Sequence, residues 1–441
     1  MIIPNHQSSL QHWIDWLLQL HPKEVDLGLD RIRLVAESMQ LLHPVPFVIS
    51  VAGTNGKGSS VAMLVSILKA AGYQVGAYTS PHIQTFNERI QINGLPVSDA
   101  AITDAFAQIE AARGGVKLTY FEFATLAALV IFKQSTLDVL VLEVGLGGRL
   151  DAVNVIDADA ALITAIGIDH IEWLGDDRSV IATEKAGIMR TGNLAVCSEG
   201  APPESLLAYA KKHAVPLMQL NRDFALESFE EHWSIIGMSD AFNKRGGLEL
   251  KNLPPPSLKG AFQLNNAAGV VALLSLQQSL IVGVDAIVTG LQQAKHPGRL
   301  DHFYNQEQSW LVDVAHNPQS AEALADYLRQ GSNNNELESG YTAIFSVLND
   351  KDALPMIKMM APFVKKWVII DLLIPRATSI EALTMLLMDA GVSERDIFPQ
   401  NTMAQAVTFA EKTSNSPVLV WGSFFTVSQV YACLDNRLSL L

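Results

Sequence analysis

Across 441 residues there are only two cysteines, Cys197 and Cys433, far apart in the chain. That scarcity excludes a disulfide framework and a cysteine zinc site, and both thiols are expected to be buried small apolar side chains. Positive charge is also short: 31 Lys and Arg face 45 Asp and Glu, a net charge of −14. Broad nucleic-acid or anionic-membrane surfaces need basic patches, so no nucleic acid and no membrane is expected as a partner. An anionic ligand would have to be met by a few local cations. No apolar run reaches the roughly 18 residues of a membrane span. The start, "MIIPNHQSSLQHW", lacks a basic stretch followed by an apolar core. A cytoplasmic location is the expectation. No internal repeat or low-complexity tract stands out.

Apolar residues make up 49% of the chain, enough to bury two cores, and the length exceeds one ordinary domain. Short apolar runs such as "FVISVAG", "QVGAYTS", "LDVLVLEVG", "AALITAIG" and "NLAVCSE" alternate with helix-period segments such as "SVAMLVSILKAAG". That rhythm predicts an α/β fold with a parallel sheet flanked by helices. A second strand-helix rhythm runs from "SWLVDVAHNP" to "SPVLVWGSF", which places a boundary near Pro297 and domains at 1–296 and 297–441. The stretch from Asn221 to Pro256 has neither period and reads as a small β excursion of the first domain.

In an open parallel sheet, ligands sit beyond the carboxyl ends of the strands. Four strand ends here carry polar groups. "GTNGKGS" (Gly53 to Ser59) precedes an amphipathic helix, as a phosphate-cradling loop requires: glycines free the backbone amides, and the helix N-terminus and Lys57 add positive charge. It departs from the common phosphate loop, because only Thr54 and Asn55 separate Gly53 from Gly56. "YTSPHI" leaves the Ser80 hydroxyl at a strand end. "VLVLEVGLGGRLDA" closes an apolar run with Glu143, an acid at the position where nucleotide hydrolases bind metal, and continues into Arg149 and Asp151. "ITAIGIDHIEWLGDD" brings Asp169 and His170 past a fourth strand, followed by Lys185 in "TEKAGIMR". Together these ends offer a phosphate cradle and hard oxygen ligands for magnesium, and predict phosphoryl transfer from ATP.

The ordered set "GTNGKGS", "SPHI", "LEVGLGGRLDA", "DHIEWLG", "EKAGI", "PGRL", "DVAHNP" and "WGSFFTV" resembles the Mur ligase superfamily, and within it the bacterial dihydrofolate synthase/folylpolyglutamate synthase family. The similarity runs from about Asp26 to Thr426. It implies an N-terminal P-loop ATPase domain and a C-terminal Rossmann-like α/β domain, with catalysis in the cleft between them.

By that resemblance, Thr54, Asn55, Gly56 and Lys57 bind ATP phosphates. Ser80, Glu143 and His170 ligate two magnesium ions. Lys185 matches a lysine carried as a carbamate, N6-carboxylysine. Asn266 matches the asparagine contacting adenine, although neighbouring Asn265 leaves a one-residue slip open. Arg299 and Asp313 match residues that reach the nucleotide. His316 and Asn317 fall near the phosphates or the incoming amino acid, or form a capping turn before Pro318. The catalytic set is thus Lys57, Glu143, His170, Lys185, Arg299 and His316. The pterin site carries over to Glu24, Val25, Asp26 and Leu27, to Thr119, Tyr120, Phe121 and Glu122, and to Leu150, Asp151 and Ala152, with Tyr120 or Phe121 as a stacking ring.

The implied reaction is ATP-dependent ligation of L-glutamate to dihydropteroate and to reduced folates, through an acyl phosphate, by a monomer. Folylpolyglutamate synthesis alone, another Mur-type amide ligase, and a non-catalytic nucleotide switch are the alternatives.

Overall fold

The computed structural model describes residues 3–438 except Glu24, Val45, Glu230 and the stretches 306–307, 332–339 and 414–415. The chain forms two compact units. The first comprises Met1–Gly167, Glu172–Ser257 and Gln263–Lys295; the second comprises Ile168–Ile171, Leu258–Phe262 and His296–Leu441.

The first unit is built on strands β1 (Phe47–Ala52), β2 (Val75–Tyr78), β3 (Ile90–Ile92), β4 (Leu95–Pro96), β5 (Val139–Glu143), β6 (Ala160–Ile163), β7 (Leu194–Cys197) and β8 (Leu217–Gln219). They form one sheet in the order β4-β3-β2-β5-β1-β6-β7-β8. The strands from β2 through β8 in that order run parallel, while β3 and β4 turn back antiparallel at one edge. Every residue of β1 and of β5 is buried, as expected of parallel strands covered on both faces. Helices such as Lys57–Ala70 and Tyr120–Gln134 supply that cover.

One core of this unit gathers Trp13, Trp16, Phe86, Phe106 and Phe123 in edge-on ring contacts; another packs Ile163, Ile181, Cys197 and Leu206. The Asn221 to Pro256 stretch is a small antiparallel sheet of β9 (Phe224–Ser228), β10 (Trp233–Gly237) and β11 (Leu250–Leu253), as the mixed pattern predicts.

In the second unit, β12 (Asp301–Asn305), β13 (Gln308–Val312), β14 (Tyr341–Phe345), β15 (Val364–Ile370), β16 (Ile397–Gln400) and β17 (Val418–Trp421) form a sheet in the order β12-β13-β17-β14-β15-β16. Only β12 is antiparallel. Phe345, Trp367 and Trp421 pack in edge-on and tilted contacts, with ring centroids 4.5–6.1 Å apart, in its core. Each large sheet has an edge strand carrying a proline, Pro96 in β4 and Pro399 in β16.

Neither Cys197 nor Cys433 is in a disulfide; Cys197 is buried, but Cys433 is only half-buried, because its helix presents it at the margin of the core. Among the described residues no helix is long and apolar enough to cross a membrane.

Candidate active site

The four strand ends singled out in the sequence belong to β2, β5, β1 and β6, which are consecutive neighbours in the sheet. Their loops therefore meet at one sheet edge, and the loops after β1 and β6 are knitted together. Thr54 N donates to Ala165 O at 2.7 Å, Thr54 Oγ1 donates to Gly167 O at 2.9 Å, and Thr164 Oγ1 donates to Asn55 O at 2.8 Å. This contact is why Gly53 must be glycine: a Cβ there would lie 1.8 Å from Thr164 Oγ1.

Gly56 takes φ +89°, a conformation open to glycine, and caps helix Lys57–Ala70. The helix N-terminus thus points its first amides into the loop, the arrangement that holds anions. Lys57 folds back across the loop, its Nζ donating to Gly53 O and Thr54 O at 3.0 Å each. Asn266 lies against the same glycine, since a Cβ on Gly56 would come within 2.6 Å of its Oδ1. Its Nδ2 donates to Gln263 Oε1 at 3.0 Å, and Gln263 in turn donates to Ser59 Oγ at 3.1 Å. Asn265 is exposed, so Asn266 is the member of the pair that faces the loop.

Glu143 ends β5 with only 4% of its surface exposed, and its Oε2 accepts the Ser80 amide at 3.2 Å. Among the described residues no group of three or more His, Cys, Asp and Glu side chains is placed to hold a metal ion. The carboxylate and the hydroxyl-bearing residue beside it fit magnesium, which prefers hard oxygens and keeps waters and phosphate oxygens in most of its positions. Lys185 is 3% exposed in the last turn of helix Arg178–Ala186, with Gly148 packed on its backbone. It is not a surface cation paired with Glu184: Glu184 instead pairs with Arg149 at 2.8 Å.

The stretches assigned to the pterin converge within the first unit. Gly28 N donates to Leu150 O at 3.3 Å. Arg31 bridges Asp26 (2.7 Å) and Glu122 (3.3 Å). Thr119 and Glu122 form a reciprocal capping box at the start of helix Tyr120–Gln134, so both side chains fix the loop's entry. Phe121 lies over Gly145, where a Cβ would come within 2.6 Å of its ring, and 5.9 Å from the Tyr78 ring. Asp151 accepts the amides of Leu146 (2.8 Å) and Val153 (2.9 Å). Burial, partly offset by those bonds and by Lys57, pushes its carboxyl up to about 6. Val25, Leu27 and Tyr120 are partly exposed and Ala152 is buried, whereas Glu24 lies outside the described residues.

His170, Arg299, Asp313 and His316 belong to the second unit. Asp169, next to His170, pairs with Lys351 at 2.6 Å, accepts Asn317 Nδ2 at 2.9 Å, and lies 3.5 Å from His316 Nε2. Burial raises its carboxyl, but the bond and charge of His316, with His170 and Lys351, overcome this and hold it well below the usual carboxylate range. His316 Nδ1 donates to Val314 O at 2.8 Å, and its ring centroid is 5.5 Å from that of Phe424. The Arg299 guanidinium lies over the same Phe424 ring at 4.9 Å. Both oxygens of Asp313 accept backbone amides, of Leu300 (2.9 Å) and Ala315 (2.7 Å), and burial raises its carboxyl. Asn317 also accepts Ser320 N at 2.9 Å, the capping turn expected before Pro318.

Four residues escaped the sequence reading: Thr164, Arg31, Lys351 and Arg89. "NDKD" around Lys351 and "NERI" around Arg89 are charged turns of ordinary appearance, so no local signal marks them.

The chain matches the Mur ligase middle domain over residues 51–274 and the Mur ligase glutamate ligase domain over residues 298–424. It is 38% identical over 436 residues to the dihydrofolate synthase/folylpolyglutamate synthase of Escherichia coli K12, covering 99% of this chain and 98% of that one. The structure of E. coli FolC in complex with DHPP and ADP superposes with a TM-score of 0.90 at 38% identity, over 99% of this chain and 100% of that one. A bifunctional folylpolyglutamate synthase/dihydrofolate synthase with Mn, AMPPNP and L-glutamate bound gives a TM-score of 0.87 at 38% identity, over 98% and 99% of the two chains. With its strand-end loops and both ligase domains in place, this chain belongs to the Mur ligase superfamily and, within it, to the dihydrofolate synthase/folylpolyglutamate synthase family.

Proposed function

We propose that this chain is an ATP-dependent ligase that joins L-glutamate to dihydropteroate, forming dihydrofolate, and to reduced folates, forming polyglutamates. The observation that carries the reading is the convergence of four neighbouring strand ends on one sheet edge, next to a second set of loops suited to a pterin. The relatives named with ADP, AMPPNP, Mn, DHPP and L-glutamate support the same substrates here. A cytoplasmic location follows from that chemistry.

The loop of Thr54, Asn55 and Gly56, the amides at the start of the helix behind it and Lys57 hold the ATP phosphates and keep the γ-phosphate facing the substrate carboxylate. When bound, two magnesium ions neutralise phosphate charge; Ser80, Glu143 and His170 would hold them. A carboxylate oxygen attacks the γ-phosphorus, ADP leaves, and an acyl phosphate forms. The glutamate amine then attacks the acyl carbon, losing a proton as phosphate departs, and an amide remains. Asn266, Arg299, Asp313 and His316 are assigned to the nucleotide and the incoming amino acid on the motif match. Lys185 is assigned as a carbamate, whose oxygens would face magnesium or its waters.

Mass analysis after incubation with ATP, magnesium, L-glutamate and either dihydropteroate or tetrahydrofolate tests this. Dihydrofolate and glutamate-extended tetrahydrofolate are expected, each with ADP. Extension without dihydrofolate would leave only the folylpolyglutamate activity, and neither product would overturn the reading.

A further inference from the structure

The first unit buries a cation that its own side chains do not neutralise. Arg89 closes the short 3-10 helix Phe86–Arg89 and is only 7% exposed. Its Nε donates to His82 Nδ1 at 2.8 Å, which makes that ring nitrogen an acceptor and leaves the imidazole proton on Nε2. The guanidinium carbon lies 5.7 Å from the Phe86 ring centroid and 5.6 Å from that of Tyr120. Among the described residues no ion pair includes Arg89, and its two terminal nitrogens make no hydrogen bond. Even the adjacent acid is turned away: Glu88 accepts the amides of Ile83, Gln84 and Thr85 at 2.7 Å each.

Burying an uncompensated charge is costly, and two ring contacts return only a part of that cost. A guanidinium kept under those terms suits an anionic ligand, and its fork suits a carboxylate taken through two parallel bonds. Its surroundings say which ligand. Tyr120 belongs to the stretch assigned to the pterin, and the buried Tyr78 ring is within electrostatic reach of both Arg89 and Asp151. His82 follows two residues after Ser80, whose amide meets Glu143. Arg89 thus stands among residues assigned to the pterin and near those assigned to the metal.

We propose that Arg89 receives the non-reacting α-carboxylate of a substrate that already carries a glutamate, with the His82 Nε2–H as a second donor; this rests on the ligase reading above. The ATP phosphates already have cations assigned to them, Lys57 and the metal at Ser80 and Glu143. The α-carboxylate has none, and dihydropteroate lacks that group altogether. Arg89 is then a specificity-determining residue that favours chain extension over the first addition.

The test compares steady-state kinetics of the full-length wild type, Arg89→Met and Arg89→Lys with tetrahydrofolate and with dihydropteroate. Arg89→Met should raise KM for tetrahydrofolate by about tenfold or more, the loss of a charge-assisted bidentate contact. KM for dihydropteroate should move by a much smaller factor. Arg89→Lys, keeping the charge but not the fork, should fall between. Because no described acid pairs with the lost charge, which offsets the loss of the His82 bond and the ring contacts, Arg89→Met should melt close to wild type. Equal KM changes for both substrates, or none for tetrahydrofolate, would overturn the proposal. If Arg89→Met does not fold, the KM ratio of Arg89→Lys decides alone. A wild type that extends neither substrate would instead sink the ligase reading.

Discussion

Asp169 and Lys351 form a nearly buried ion pair at 2.6 Å, their side chains 7% and 6% exposed, although 182 positions separate them. The pair fastens the residue next to His170 to the loop after β14. Removing one partner of a buried pair strands the other, at a typical cost of about 3 kcal/mol. Lys351→Met and Asp169→Asn should each lower the urea midpoint, and the double variant should lose less than the two losses summed. The pH dependence has a definite sign. Asp169 is held below the usual carboxylate range, so its contribution is full above about pH 4 and fades as pH falls toward its lowered value. Asp169→Asn should therefore lose stability at neutral pH but show a shallower acid limb. Additive losses in the cycle would show that the two residues do not interact.

Asp151 behaves oppositely. Its carboxyl is pushed up to about 6 by burial, so the folded chain holds that proton more tightly than the unfolded chain. Its ionisation therefore erodes stability as pH rises from about 4 to about 6. Asp151→Asn should remove this slope, at some cost at every pH because the amide nitrogen cannot accept one of the two backbone bonds. Chemical denaturation at pH 4, 5, 6 and 7 reads the difference, and parallel curves for the two proteins would refute it.

Gly56→Ala meets two penalties at once: a left-handed backbone, costing about 1–2 kcal/mol, and a methyl 2.6 Å from Asn266 Oδ1. The loop must shift, and ATP affinity should fall by at least about tenfold while the circular dichroism spectrum stays native. Wild-type nucleotide affinity in a folded Gly56→Ala protein would remove the loop from the nucleotide site.

Glu143→Gln should keep the fold and lose nearly all turnover, because the carboxylate charge is gone where transferred charge develops. The magnesium concentration for half-maximal rate should rise. An unchanged rate at ordinary magnesium would refute its metal role.

Lys185 is buried, and the carbamate assignment separates it from an ordinary cation. Lys185→Ala and Lys185→Arg should both fail, since neither can form a carbamate, and formate or acetate should restore part of the alanine variant's activity. Full activity of Lys185→Arg in bicarbonate-free buffer would show that positive charge is what matters.

Much of this site was legible because parallel strands advertise themselves as continuous apolar runs, and the residue after each run must lie at the ligand edge. Glu143 after "VLVL" and Gly53 after "FVISVA" are such cases. Thr164, Arg31 and Lys351 were not legible, because each acts through partners that only folding brings near, and Arg89 was not, because its burial beside the Tyr120 ring is set by the fold. Arg31 reaches Glu122 across 91 positions, and no local period encodes that distance. The segments Ile168–Ile171 and Leu258–Phe262 escape a linear reading for the same reason: each is flanked by chain of the first unit but packs with the second.

The prolines of β4 and β16 bear on behaviour in a crowded solution. An open sheet edge is a template on which another chain's strand can hydrogen-bond, and a protein with 49% apolar residues has much to lose from such pairing. Pro96 lies in a two-residue edge strand and Pro399 in a four-residue one, and neither has an N–H to offer a newcomer. Each large sheet therefore ends, on one side, in an edge that interrupts the ladder an incoming strand would need, so these margins resist strand-by-strand self-association without any contribution from the active site.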